Sequence, residues 1–441
     1  MTDQGQTVGE LLGRCLRAVG ATRVFGSPDS GVPGIPGLTH VRVDEPELAA
    51  LLAAAAGRIG QGPGVALLPG RRLLLSSAPG IEPDRFRLDD PEALPFVIAS
   101  WTSGLVFAAT ELLIEVDLDA PAGRDVTPVR LEPGGRAISL DPALADDEIV
   151  ILAGPGVLRH DATKALAALA RDLGVGVVNT WGAKGVFRWD SPHHYGTAGL
   201  QARDFELAGV TSADVVIAVG VDPLESPRTR WEGPAVLEIE PWQLGALALR
   251  WPGPAELPPP PALYRELAGA LRPLYASAQV PLSPARAVAD AGEVRPEGAL
   301  VVADPGPAGL WVARALPTTE AGSVVVPSAV QPGFAVAAGA VASLDGRLSI
   351  SITTDPIDET TEAVLELAEH WGAQIVLEVW GDGASGAELV SPEARRERLH
   401  DALQSRRVNR LPVAVDFAST DVLVEIAGPV VAWESDRGAM S

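Results

Sequence analysis

Residues 148–180 read EIVILAGPGVLRHDATKALAALARDLGVGVVNT, and their pattern decides the fold. An apolar run, IVILA, is too short for a helix of ordinary length and ends in a glycine turn, GPG. The segment DATKALAALARDLG then carries apolar residues at helical spacing, and VGVVNT returns to a short β-branched run. A strand, a helix and a second strand in this order form a unit whose two strands lie parallel, with the helix covering one face. ADVVIAVGVD at 213–222 repeats the strand-and-turn pattern, and PAVLEIEP at 234–241 supplies another buried strand. The polyproline stretch ELPPPPALY at 256–264 marks a boundary after it.

The last third follows the same scheme. ALVVADPGP (299–307), LSISITTDP (348–356) and AQIVLEVWGDG (373–383) each end an apolar run in Asp with Gly or Pro. In an open parallel sheet, ligands bind beyond the carboxyl ends of the strands, so these three ends are expected to converge on one site.

In the first third, GELLGRCLRAVGATRVFG at 9–26 places Leu11, Leu12, Cys15, Leu16 and Val19 at helical spacing before a short strand around Val24. After SPDSGVPG comes HVRVDEPELAALLAAAAGRIG, in which Pro46 suits the first turn of a helix that follows a strand. Asp44, Glu45 and Glu47 cluster at that junction. Read from the residues alone, they complement the positive end of a helix. GVALL (64–68) and ELLIEVDL (111–118) read as further strands, and PAGRDVTPVRLEPGG (121–135) as a linker. Three domains are expected, over 1–125, 145–250 and 280–441.

Composition narrows the class. The chain has 441 residues, 47% of them hydrophobic and 21% charged, enough apolar surface to order several cores. Its 57 acidic against 34 basic residues give a formal charge of −23, which repels phosphate backbones and anionic headgroups. Neither nucleic acid nor membrane is an expected partner, and no apolar run is long enough to span a bilayer. A lone cysteine, Cys15, and an opening without the layout of a signal peptide lead to an expected cytoplasmic location.

Four blocks of the middle third, LAGPGV (152–157), GAKGVF (182–187), SPHHYGTAGL (191–200) and ADVVIAVG (213–220), follow one another in a distinctive order. In order and spacing they resemble the central domain of the acetolactate synthase and decarboxylase group of thiamine-diphosphate enzymes. VFGSPDSG (24–31) is similar to that group's early VFG-x-PG turn, which brings Gly26 and Pro28 to the cofactor. GPGVALL (62–68) is similar to the strand after its glutamate-bearing helix. The resemblance implies an α/β fold of three domains, each an open parallel sheet flanked by helices, with a shortened first domain. It also implies that one glutamate at the strand-to-helix junction bonds the aminopyrimidine ring and promotes ylid formation. Glu45 and Glu47 compete for that role, and Glu45 is favoured.

The family's metal motif is GDG with an asparagine twenty-seven residues after the aspartate. Here TTDP carries Asp355, and 382 − 355 = 27 puts Asp382 of WGDG at the asparagine position. The resemblance therefore implies that Asp355 and Asp382 ligate Mg2+, with Thr354, Gly381 and Gly383 beside the diphosphate. An oxygen pair suits a hard cation. Pro356 replaces a glycine and has no N–H to offer a phosphate, while Thr354 adds bulk where a glycine would allow close approach. Against the family's first domain, the GPG-containing loop and its following helix are reduced to LLPGRRLLLSSAPG (67–80).

GPG at 154–156 lacks the G-x-G-x-x-G spacing of a dinucleotide loop and reads as a structural turn. His193 and His194, being adjacent, diverge on either type of element and make no metal pair. Trp311 and Trp380 are candidates to line a cleft, with core packing as the default. No flavin is expected. The resulting expectation is a thiamine-diphosphate and Mg2+-dependent lyase or transferase, a homodimer or homotetramer, that cleaves or forms a carbon–carbon bond beside the carbonyl of a 2-oxo acid or aldehyde. The alternative is the same fold with a decayed cofactor site, serving as a binding or regulatory subunit or as a cofactor-independent enzyme.

Overall fold

The computed structural model describes residues 6–27, 34–80, 82–103, 110–123, 128, 139–247, 257–382 and 387–433. The chain folds into two compact units, Met1–Gly135 and Arg136–Ser441. Among the described residues the first unit contains one sheet and the second contains two.

In the first unit, α1 (Val8–Ala18) opens with a capping box in which Thr7 and Glu10 exchange side-chain-to-backbone hydrogen bonds. Strands β1 (Arg23–Phe25) and β2 (Thr39–Val41) precede α2 (Pro46–Ile59), and β3 (Gly64–Leu68), β4 (Arg72–Ser76) and β5 (Asp84–Arg87) follow it. Helix α3 (Leu94–Thr102) and β6 (Glu111–Glu115) complete the unit. The sheet order is β2-β1-β3-β4-β6-β5. The expectation of an open parallel sheet needs one correction here, because β4 runs antiparallel to both β3 and β6. LLPGRRLLLSSAPG does not connect a strand to a helix; it makes the β3–β4 hairpin, turning at Gly70 with positive φ. A two-strand hairpin needs only a short turn, whereas a parallel return needs a crossover of a dozen residues or more. Helix α2 carries small residues because β3 and β4 press against it. A Cβ on Gly57 would stand 1.9 Å from the Ser76 carbonyl oxygen.

In the second unit the central sheet is wholly parallel, with β7 (Ile149–Ala153), β8 (Val177–Thr180), β9 (His194–Ala198), β10 (Val215–Val219) and β11 (Ala235–Ile239) in the order β11-β10-β7-β8-β9. Helices α4 (Gly156–Arg159), α5 (Thr163–Leu173) and α6 (Asp204–Leu207) connect these strands. Gly174, in the left-handed region, stops α5 and lets the chain turn into β8.

Helices α7 (Ala262–Tyr275) and α8 (Pro284–Val294) lead to the third sheet, also parallel. Its strands are β12 (Leu300–Ala303), β13 (Val324–Val325), β14 (Ser349–Thr354), β15 (Ile375–Gly381) and β16 (Asn409–Ala414), in the order β13-β12-β14-β15-β16. They alternate with α9 (Pro307–Ala315), α10 (Phe334–Leu344), α11 (Glu359–His370) and α12 (Pro392–Ser405), and α13 (Thr420–Ala427) follows. No helix among the described residues is long and apolar enough to cross a membrane.

Central and third sheets share one apolar core that includes Trp181, Trp231, Trp311 and Trp380. Each of these buried indoles donates its N–H: Trp181 to the Pro327 carbonyl, Trp231 to the Ser226 carbonyl, Trp311 to the Thr420 hydroxyl and Trp380 to Glu378. Trp311 and Trp380 are thus core residues, as packing considerations alone predict. Polar fastening accompanies the apolar contact. Arg314 of α9 directs Nη2 at both carboxylate oxygens of Asp204 on α6, each at 2.8 Å, and at Gln201 Oε1 at 3.0 Å. The two charged side chains are 1% and 0% exposed.

Removing one partner of such a pair leaves a buried charge uncompensated. Asp204→Ala is expected to lower the stability of the second unit by about 3–5 kcal/mol, whereas Glu206→Ala, which loses only an exposed pair with Arg203, should change it by less than about 1 kcal/mol. Guanidinium unfolding midpoints of the two variants check this, and equal shifts would contradict it.

Candidate functional site

The carboxyl ends of β12, β14 and β15 lie side by side. Ala303 pairs with Ile352, and Thr354 pairs with Trp380. The register continues one residue further, since Asp304 N donates to the Ile352 carbonyl at 3.0 Å and Asp355 N to the Trp380 carbonyl at 2.9 Å. Thr354, Asp355, Gly381 and Asp382 therefore sit on adjacent strand ends, with Asp355 half-buried and Asp382 exposed. Gly383 lies outside the described residues, as does Pro28.

Asp304 belongs to the same edge and had no assigned role in the sequence reading, although its strand end ADPGP stood out there. Only 8% exposed, it accepts the Ala335 N–H at 2.8 Å in the first turn of α10 and a hydrogen bond from Thr353. Burial pushes its carboxyl up to about 6, against those two bonds, and the nearby charge of Asp358 adds to the rise. Asp358 caps α11, accepting Thr361 N at 2.7 Å and the Thr361 hydroxyl at 3.2 Å. That helix terminus, which could otherwise receive an anion, is satisfied by a carboxylate of the chain itself.

Glu45, Glu47 and Gly26 belong to the first unit. Glu45 occupies the N-cap of α2 without a side-chain capping bond, Pro46 and Glu47 stand in the first turn, and both glutamates are exposed. Asp44 pairs with Arg42 at 3.2 Å. Gly26 has φ +142 and its missing Cβ would lie 2.7 Å from the Leu67 carbonyl oxygen, so the strand ends of β1 and β3 require glycine there.

In the central sheet the GPG turn is filled by backbone. Gly156 N donates to the Gly220 carbonyl at 2.9 Å, and Cβ atoms on Gly154 and Gly156 would stand 2.3 Å from Gly220 O and 2.7 Å from Gly220 Cα. This packing makes the glycines structural. His193 Nδ1 meets the Val175 carbonyl at 2.9 Å, and His194 is buried against Tyr264.

Residues 144–241 match the family model for the central domain of thiamine pyrophosphate enzymes. The fold extends beyond that segment. It is shared, with a TM-score of 0.65 over 93% of this chain and 99% of the other, with a Mycobacterium smegmatis protein whose X-ray structure was described as that of a candidate thiamin diphosphate-dependent enzyme. The two sequences are 16% identical. No curated protein matches the chain.

Thiamine diphosphate bound with Mg2+ can be tested against these residues. Among the described residues no three His, Cys, Asp or Glu side chains converge as a cage. Mg2+ does not require one, because it is commonly held by one or two carboxylates and completes its octahedron with water and phosphate oxygens. Asp355 and Asp382, on neighbouring strand ends, fit that donor chemistry. The backbone offers diphosphate less, since Pro356 has no N–H and the Thr361 N–H is taken by Asp358. A diphosphate at this edge would therefore depend chiefly on a metal ion for its anchorage.

A buried carboxyl with a raised value makes folding depend on pH. Between about 3.8 and about 6 the folded chain holds a proton on Asp304 that the unfolded chain releases, so this group's contribution falls as pH rises through that window and levels off above it. Asp304→Asn, which keeps the acceptor for Ala335, should be more stable than the parent at pH 7 by up to about 3 kcal/mol, with the gain vanishing towards pH 4. Unfolding midpoints at both pH values test this, and a variant less stable at pH 7 would refute it.

Proposed function

We propose that the chain is an enzyme of the thiamine-diphosphate type that cleaves or forms a carbon–carbon bond next to the carbonyl of a 2-oxo acid or aldehyde. What carries this reading is the position of Asp355 and Asp382 on adjacent strand ends of a fold whose central segment matches thiamine pyrophosphate enzymes. Asp355 and Asp382 would hold Mg2+, with Thr354 and Gly381 beside the diphosphate and Glu45 at the aminopyrimidine. When bound, thiamine diphosphate supplies the electron sink that such bond changes need. Asp304 orders the edge by tying β12 to the first turn of α10. The family resemblance extends the proposal to a homodimer or homotetramer.

One specific observation favours a second reading, in which the fold persists without the cofactor. Pro356 and the Asp358 cap remove backbone donors from the phosphate side of the edge, and Asp304, Asp355, Asp358 and Asp382 concentrate negative charge there. A trianionic diphosphate meets repulsion at such an edge unless a divalent cation offsets it.

Isothermal titration with thiamine diphosphate separates the readings. Binding is expected in the presence of Mg2+ and not in EDTA, with Asp355→Ala weakening it by about 100-fold or more. A folded parent chain that gives neither heat nor thermal shift with both components would overturn the enzymatic reading in favour of the second.

A further inference from the structure

Between β13 and α10 the chain runs buried without regular secondary structure. Val326, Pro327, Ser328 and Ala329 are all buried, whereas Val330 and Pro332 are exposed. A buried loop cannot leave its backbone polar groups to water, so they need partners within the protein. The Pro327 carbonyl has two. It accepts the indole N–H of Trp181, which follows β8, at 3.2 Å and that of Trp433 at 3.0 Å. The two indoles meet edge to face, with ring centroids 5.6 Å apart. Next along the loop, the Ser328 hydroxyl donates to Asp222 Oδ2, beyond the end of β10, at 3.0 Å.

Trp433 arrives there on a strap. After α13 the chain lies along residues 200–203: Arg203 N donates to the Ala427 carbonyl, Ala202 N to the Pro429 carbonyl, and Val431 N and Ala432 N to the Leu200 carbonyl. At the end of this stretch Trp433 has φ +64, a left-handed conformation that a bulky residue rarely adopts, and it is 6% exposed. Backbone held in that region by its surroundings fixes where the indole stands, and the indole's one polar atom is engaged by Pro327. The far end of the same loop meets the acidic edge. Gly333 abuts the first turn of α11, where a Cβ would stand 3.3 Å from Thr361 N, and the Ala335 N–H donates to Asp304 at 2.8 Å.

We propose that residues 429–433 form a strap whose terminal indole positions the β13–α10 loop, and through it the contact between Ala335 and Asp304, which makes Trp433 a positioning residue for the candidate site. It acts through the chain that runs from Pro327 to Ala335. The order imposed on the loop belongs to the protein alone; that the edge it serves takes thiamine diphosphate rests on the reading above.

Hydrogen exchange of the full chain without ligand tests the strap. Trp433→Phe keeps an aromatic ring and removes the N–H, and it should speed exchange in peptides covering 326–337 by about five- to tenfold. Tyr275→Phe also removes one donor to a carbonyl, that of Ala315 at 2.6 Å, and should leave those peptides at the parent rate. Unchanged exchange in Trp433→Phe, or equal acceleration in both variants, would overturn the proposal. Should Trp433→Phe fail to fold, the parent in low denaturant decides by itself: the loop and strap peptides are expected to open together, below the free energy of global unfolding, and a strap that opens while the loop stays protected refutes the proposal. With Mg2+ present, Trp433→Phe should bind thiamine diphosphate about three- to tenfold more weakly than the parent, and Tyr275→Phe equally well. Equal affinity in Trp433→Phe would break the link to the site, whereas a parent that binds no cofactor defeats the enzymatic reading and leaves the exchange comparison to decide the strap.

Discussion

The buried pair between Arg314 and Asp204 is the contact on which the second unit depends. Two parallel sheets, each with its own helices, could pack through apolar surface alone in many orientations, because hydrophobic contact is not directional. A guanidinium is directional. Arg314 reaches from α9 beside the third sheet to the Asp204 carboxylate, the Gln201 amide and the Thr197 carbonyl on the side of the central sheet. Gln201 in turn donates to the carbonyls of Leu423, inside α13, and of Gly428, at its C-cap. One cationic group thus sets the angle between two sheets and the seat of the closing helix.

The third sheet is locked internally by a similar device. Glu378, on the middle of β15, takes Arg395 of α12 at two oxygens and the Trp380 indole N–H at 3.0 Å, all of it buried. Breaking either pair would leave a charge in the core, so these networks specify one arrangement more than they add stability. They hold rigid the strands whose carboxyl ends carry Asp304, Asp355 and Asp382. A site on such strands is positioned better than one on free loops.

That edge is acidic by construction. Asp358 closes α11, Asp304 closes α10 and is kept largely desolvated, and Asp355 and Asp382 complete the row. An arrangement of this kind favours a hard divalent cation and opposes a bare anion. By the same physics a phosphate at this edge would need a metal, whereas a glycine-rich turn would let backbone N–H groups share the work.

Local pattern alone was enough for β7, α5, β8, β10 and β11 and for β12, β14 and β15, because apolar period and glycine turns are properties of neighbouring residues. It was also enough to put Asp355 and Asp382 at strand ends, since each closes an apolar run in a turn, while their spacing of twenty-seven residues gained meaning only from the family resemblance. Three things needed the tertiary structure. The antiparallel β4 was hidden because RLLLS carries no mark of strand direction, which only its partners decide. Asp304 gained its role from Ala335, thirty-one positions away, and from burial that no single stretch reveals. Arg314 and Asp204, 110 positions apart, look like ordinary surface charges in the sequence; they become a core ion pair only when two sheets close around them and remove the water.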